Sequence, residues 1–127
     1  MGDAGSDTRI APWLAVSDAT KAVEFYKLAF DAAEAHRLDD DNGAVMVAQL
    51  QVDGATFWVQ QDVEQSPDGQ GGSPVRMILM VADPGAWFAR AVAAGSTAVA
   101  DVHEEHGWLT GRVSDPFGYD WEFSRQV

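Results

Sequence analysis

Apolar residues along this chain switch between two periods, and the switches mark out its elements. Ile10 to Val16 is a short run of β-compatible residues, after which Ser17 or Asp18 supplies an N-cap oxygen. Ala22, Val23, Phe25, Tyr26, Ala29 and Phe30 then recur at three- and four-residue spacing, with Lys21, Glu24 and Lys27 on the opposite side, which predicts an amphipathic helix. Glu34 to Leu38 and Ala44 to Val52 read as strands flanking the turn-rich Asp39-Asp40-Asp41-Asn42-Gly43, and Ala55 to Gln61 follows the Asp53-Gly54 turn as another. The first half is a βαβββ unit.

The second half repeats it. Val75 to Val81 predicts a strand, Asp83 an N-cap, and Pro84 the first helical position, where its missing N–H costs nothing. Trp87, Phe88, Ala91 and Val92 form the stripe expected to be buried, and Gly95 is placed to end the helix in a left-handed conformation. Thr97 to Val102, Trp108 to Val113 and Tyr119 to Arg125 are three further strands, the last preceded by the turn Asp115-Pro116-Phe117-Gly118. The pattern of Ala11 to Asp18 recurs from Arg76 to Asp83, and that around Gly54 recurs at Gly118. Two copies of one supersecondary unit restrict both the fold and the place of a ligand. Between them, residues 66 to 74 are a Gly- and Pro-rich linker, so a single domain over 10–127 divides into modules 10–65 and 75–127. The linker glycines do not open a helix, which removes a phosphate-cradle reading. Residues 1–9 are expected to be flexible.

Composition narrows the classes. A chain of 127 residues suits one domain with its own core, and the absence of cysteine excludes disulfides and thiolate metal sites. No stretch approaches about 18 consecutive apolar residues and no signal-peptide core is present, so a soluble, cytoplasmic protein is expected. The 20 acidic and 8 basic residues give a net charge of -12, which repels phosphate backbones and anionic membranes. Neither nucleic acid nor membrane is an expected partner. An acidic surface serves solubility first and also favours a cationic ligand.

Four segments carry a family resemblance. They are Pro12-Trp13-Leu14-Ala15-Val16-Ser17-Asp18 with Phe25-Tyr26-Lys27-Leu28-Ala29-Phe30, then Arg90-Ala91-Val92-Ala93-Ala94-Gly95, and Gly111-Arg112-Val113-Ser114-Asp115-Pro116-Phe117-Gly118-Tyr119-Asp120-Trp121-Glu122. With these the chain resembles the vicinal oxygen chelate superfamily, the glyoxalase, bleomycin-resistance and extradiol dioxygenase group, and its PhnB-like branch. The resemblance implies an α+β fold in which two tandem βαβββ modules form a curved mixed sheet, with helices on the convex side. It also implies a homodimer and a ligand in the concave cup. One scaffold in this family hosts isomerases, dioxygenases, transferases and binding proteins, so the fold alone does not give the function.

Strand alternation sorts residues between the two faces. Ala11, Trp13, Ala15, Thr56, Trp58, Gln60, Arg76, Ile78, Met80, Asp120, Glu122 and Ser124 should face the cup. Leu14, Val16, Phe57, Val59, Met77, Leu79, Val81, Trp121 and Phe123 should lie under the helices. The second set is wholly apolar and the first is mixed, as a half-buried sheet with a binding face requires.

The resemblance places the family's metal ligands at Ala11, Trp58, Arg76 and Glu122. Only Glu122 is a ligand type, and an arginine at the third position puts a permanent positive charge beside it. No metal or other cofactor is expected. Instead Glu122 is expected to pair with Arg76 at the cup floor, either as a structural bridge or to hold a zwitterion end to end. The arginine stabilises the carboxylate, which disfavours Glu122 as a general base.

His103-Glu104-Glu105-His106 is not the helical H-E-x-x-H motif, because its histidines are three apart and point to opposite faces of an extended segment. It reads as a solvated loop or strand end. Recruited beside Glu122, His103 and His106 would give the alternative reading, a divalent-metal-dependent lyase, isomerase or dioxygenase. His36 is expected at the surface.

Aromatic side chains are the stronger indication. Trp13 and Trp58 are assigned to the cup and Trp108 leads into a bordering strand, offering flat apolar walls with indole donors. These rings either fill the cup themselves or leave it open to a planar or cationic organic molecule. The expected function is metal-independent binding of such a molecule, with Trp13, Trp58, Arg76, Glu122, Trp108, Gln60 and Met80 as binding residues. No catalytic residue is assigned.

Overall fold

The computed structural model describes residues 8–62 and 75–127. Module one runs β1 (Trp13–Val16), α1 (Ala19–Phe30), β2 (Ala33–Asp39), β3 (Val45–Val52) and β4 (Ala55–Gln61). Module two repeats the order with β5 (Arg76–Met80), α2 (Pro84–Ala93), β6 (Thr97–Glu105), β7 (Trp108–Ser114) and β8 (Asp120–Gln126). Each module is a four-stranded mixed sheet, ordered β1-β4-β3-β2 and β5-β8-β7-β6, with its first and last strands parallel. The α+β fold of two βαβββ modules is the one read from the hydrophobic pattern. The linker 66–74 and the N-terminal segment, apart from its last two residues, lie outside the described residues.

Local chemistry sets the element ends. Asp18 is the N-cap of α1, its Oδ1 accepting from the Lys21 N–H at 3.0 Å. Gln61, at the end of β4, accepts from the Ala19 N–H and donates to the Ser17 carbonyl, so the helix start is pinned to the sheet. Asp83 caps α2 with Pro84 in its first turn, and Gly95 follows the helix at φ 125°. Asp53 and Gly54 both have positive φ, the condition for a tight two-residue hairpin.

Four expectations are corrected. β1 begins at Trp13 rather than Ile10: Ile10 is 95% exposed, and Pro12 has no N–H to give the ladder, although its carbonyl accepts from the Trp58 N–H. Ala11 therefore stands outside the strand. Val92 is exposed, because α2 turns its Ala91 side to the sheet. β6 runs to Glu105 rather than Val102, since His106 (φ 52°) and Gly107 (φ 83°) close a tight hairpin and keep His103, Glu104 and Glu105 in the ladder. Val81 lies just beyond β5, which ends at Met80.

Both helices cover the same side of the sheets, and that side is the core. Leu14, Val16, Phe57, Val59, Met77, Trp121 and Phe123 are buried there, as alternation requires. The core is continuous across the modules: the Phe30 ring of α1 lies 4.7 Å from Trp121 on β8, and Phe57 of β4 lies 5.3 Å from the same indole. Each such aromatic contributes about 1.5–3 kcal/mol of burial. Packing the helix-covered sides together leaves the other face of each sheet uncovered.

Candidate functional site

On the uncovered face of module one, Trp13 and Trp58 are cross-strand partners and their rings stack, with centroids 5.7 Å apart and planes 25° apart. The Trp13 Nε1–H donates to Gln60 Oε1 at 2.8 Å. Trp13 is nevertheless 53% exposed. An indole fixed by stacking and a hydrogen bond, yet half open, is a preformed flat platform.

On the matching face of module two, Arg76 Nε lies 3.2 Å from Glu122 Oε1, and the carboxylate is the more buried partner. The other oxygen, Oε2, accepts from the Ser124 hydroxyl at 3.2 Å, which leaves Thr110 to donate to Ser124 at 2.8 Å. Arg112 faces Glu122 across the β7–β8 ladder, and its Nε is buried with no hydrogen-bond partner among the described residues.

Two cavities open on these faces. The larger, about 720 Å³, lies between the modules, where Ala11, Thr56 and Trp58 of one meet Arg76 and Ile78 of the other, and its wall also includes Phe57, Met77 and Trp121 of the helix-covered side. The smaller, about 250 Å³, belongs to module two alone and is lined by Ile78, Met80, Glu105, His106, Trp108, Thr110, Glu122 and Ser124. Ile78 borders both. The seven residues expected from the sequence to bind are thus divided: Trp58 and Arg76 line the large cleft, with Trp13 stacked on Trp58 and Gln60 bonded to Trp13, while Met80, Trp108 and Glu122 line the small pocket.

The four family metal positions do not supply a donor set. Ala11, Trp58 and Arg76 bring no ligand, and among the described residues no three His, Cys, Asp or Glu side chains come together to hold a metal ion. His106 does reach the pocket that Glu122 lines. His103 does not: its Nδ1–H donates to the Asp101 carbonyl at 2.8 Å and its Nε2 faces Glu105 Oε1 at 3.5 Å, contacts that raise its pKa, the backbone bond most. His36 is exposed on β2.

These modules, sheet orders and paired uncovered faces are those of a known superfamily. The model of the glyoxalase/bleomycin resistance protein/dioxygenase superfamily matches residues 8–123. The chain belongs to this superfamily. Among curated proteins it is 37% identical over 126 residues to the uncharacterized protein Rv0887c of Mycobacterium tuberculosis, covering 93% of this chain and 74% of that one. It is similar to the solved structure of the Arabidopsis thaliana gene product At5g48480, with TM-score 0.74, 33% identity and coverage of 93% and 98%. TioX from Micromonospora sp. ML1 matches with TM-score 0.74 and 25% identity, covering 94% and 97%. At 14% identity and TM-score 0.72, the fosfomycin resistance protein FosX of Listeria monocytogenes, matched over 95% of this chain and 94% of its own, shares the fold. Among the described residues no helix is long and apolar enough to cross a membrane.

Sequence reasoning missed Glu105 and Thr110. Ending β6 at Val102 removed Glu105 from the alternation that assigns faces. The signal was present in His106-Gly107, a dipeptide suited to a two-residue hairpin that would have carried the strand on to Glu105.

Proposed function

We propose that this chain binds a small planar or cationic organic molecule on the uncovered faces of its sheets, without the superfamily's metal site. The carrying observation is the Trp13–Trp58 stack, held by Gln60 yet half open, whose Trp58 lines the 720 Å³ cleft. A flat ring laid on this platform gains stacking and apolar burial at little cost in side-chain ordering. A net charge of -12 adds attraction for a cation.

Titration with 9-aminoacridine, a planar cation, and with neutral acridine tests this reading. Saturable binding of one molecule per chain, recovered chemically unchanged and weakened at least tenfold by Trp13→Ala, is the expected result. Conversion of the probe would move the protein to the enzymatic reading, and unsaturable binding would remove the platform.

We also propose that the chain pairs with a second copy and stands near the PhnB-like branch. Trp13, Ile78 and Met80 are apolar and at least half exposed on the two uncovered faces, surface that a partner protomer would face across the ligand space. Sedimentation at twice the chain mass, lost in a Trp13→Asp/Met80→Asp double variant, is the expected outcome.

A further inference from the structure

The small pocket differs from the large cleft in its chemistry. Its lining carries two carboxylates, Glu105 and Glu122, one imidazole, His106, and no lysine or arginine. Glu105 and Trp108 are directly opposed partners closing the β6–β7 hairpin, so the carboxylate and the indole share one face. Two apolar side chains, Ile78 and Met80, and two hydroxyls, on Thr110 and Ser124, complete the wall. The cationic groups around it lie outside: Arg76 sits beside Glu122 Oε1 but lines the other cavity, Arg112 faces Glu122 across the ladder without lining the pocket, and His103, also outside the lining, has its Nε2 3.5 Å from Glu105 Oε1.

We propose that this pocket is an ammonium subsite, and that the ligand is an organic amine whose charged end enters it while its hydrocarbon body crosses Ile78 toward the large cleft. The assignment rests on the small-molecule reading above and adds the ligand's charge and the place where that charge is held. An alkylammonium suits all three wall types. Its N–H groups donate to carboxylates and hydroxyl oxygens, its charge is attracted to the indole face, and its first methylenes lie on Met80 and Ile78. The stacked indoles Trp13 and Trp58 offer the flat part of a ligand its platform, and the smaller 250 Å³ pocket takes the chain terminus. Ile78, common to both cavities, is the ridge over which the two parts connect.

The test compares 3-phenylpropylammonium with its uncharged counterpart 3-phenyl-1-propanol, at about 150 mM salt so that the general field of the acidic chain is screened. Binding is followed by the indole N–H resonances of the five tryptophans in a 15N-labelled full-length protein. The amine is expected to bind at least tenfold more tightly than the alcohol and to shift the Trp108 resonance. Glu105→Gln, at an exposed hairpin position that leaves the core intact, should weaken the amine about tenfold and leave the alcohol unchanged. Trp108→Leu should also weaken the amine. Equal affinities for the two probes, or an amine preference indifferent to Glu105→Gln, would overturn the ammonium subsite while leaving the Trp13–Trp58 platform to its own acridine test. Binding of neither probe at millimolar concentration would overturn the subsite as well. Amine binding by a protein that, unaltered, binds neither acridine saturably would instead keep the subsite and remove the platform.

Discussion

Tyr26 of α1 donates its hydroxyl to Asp115 Oδ2 at 2.5 Å, joining module one to the turn before β8 in module two. The same oxygen accepts from the Trp121 indole at 2.8 Å, and Oδ1 accepts from the Phe117 and Tyr119 N–H groups at 2.8 and 3.0 Å. Tyr119 returns the link by donating to the Ala15 carbonyl at 2.8 Å. Both Tyr26 and Asp115 are buried, so this carboxylate organises a turn, a core indole and the module junction together.

Removing the junction bond should therefore cost more than a surface hydrogen bond. Tyr26→Phe leaves the ring packing in place and is expected to lower unfolding free energy by about 1–3 kcal/mol. Asp115→Ala strands four donors and should cost more than Tyr26→Phe. Urea denaturation of the two single variants and the double variant, read as a cycle, should give a coupling energy well above zero.

Asp115 also predicts a pH effect. Burial raises its pKa, opposed by the Tyr26 hydrogen bond and then by those from Tyr119, Trp121 and Phe117. A carboxyl whose pKa is higher folded than unfolded binds its proton more tightly in the native state. Its contribution to stability is full below the unfolded pKa and is lost as pH rises through the folded value. Glu34 runs the other way: the Lys27 hydrogen bond lowers its pKa, so its contribution is present above the unfolded pKa and lost as pH falls through the folded one. Carbon-13 titration of the side-chain carboxyls should find Asp115 above the ordinary range and Glu34 below it, with Tyr26→Phe raising Asp115 further.

The ion pair on the uncovered face of module two should matter little to folding. Arg76 is 45% exposed at its side chain and Glu122 19%, and a pair so open to water contributes about 1 kcal/mol or less. Arg76→Gln is expected to change the urea midpoint only slightly. A loss above about 2 kcal/mol would instead make the pair a structural bridge between β5 and β8.

Much of this architecture was legible because the sequence repeats its own signals. Alternation in the flanking strands sorted Phe57, Trp121 and Phe123 to the helix side and Trp13, Trp58 and Glu122 to the other, and burial follows that division. The Arg76–Glu122 contact follows from the same phase, since β5 and β8 are parallel neighbours. What alternation does not carry is the relation between modules. Tyr26 and Asp115 are 89 positions apart, and each reads locally as something ordinary, a core aromatic on a helix and the first residue of an Asp-Pro turn. Nor does it reveal that the residues assigned to the cup fall into two cavities, because that depends on how the two sheets are set through their shared core.

The close approach of α2 to its sheet gives the last prediction. Gly111 is buried in β7 opposite Phe123 of β8, at a position where every other inward residue of the strand is larger. A Cβ built there would stand 2.7 Å from Val102 Cγ2, 3.1 Å from Phe88 Cδ2 and 3.2 Å from the Val102 Cα. The first two contacts belong to side chains, which can shift, but the third is backbone of β6, in the irregular stretch between Ala100 and His103 that lies opposite Gly111. Gly111→Ala must therefore push β6 or α2 outward, and is expected to cost about 1–3 kcal/mol despite the higher strand propensity of alanine. Phe88→Leu should recover part of that loss by freeing space on the helix side. If Gly111→Ala proves neutral in urea denaturation, α2 does not sit this tightly on β6 and β7.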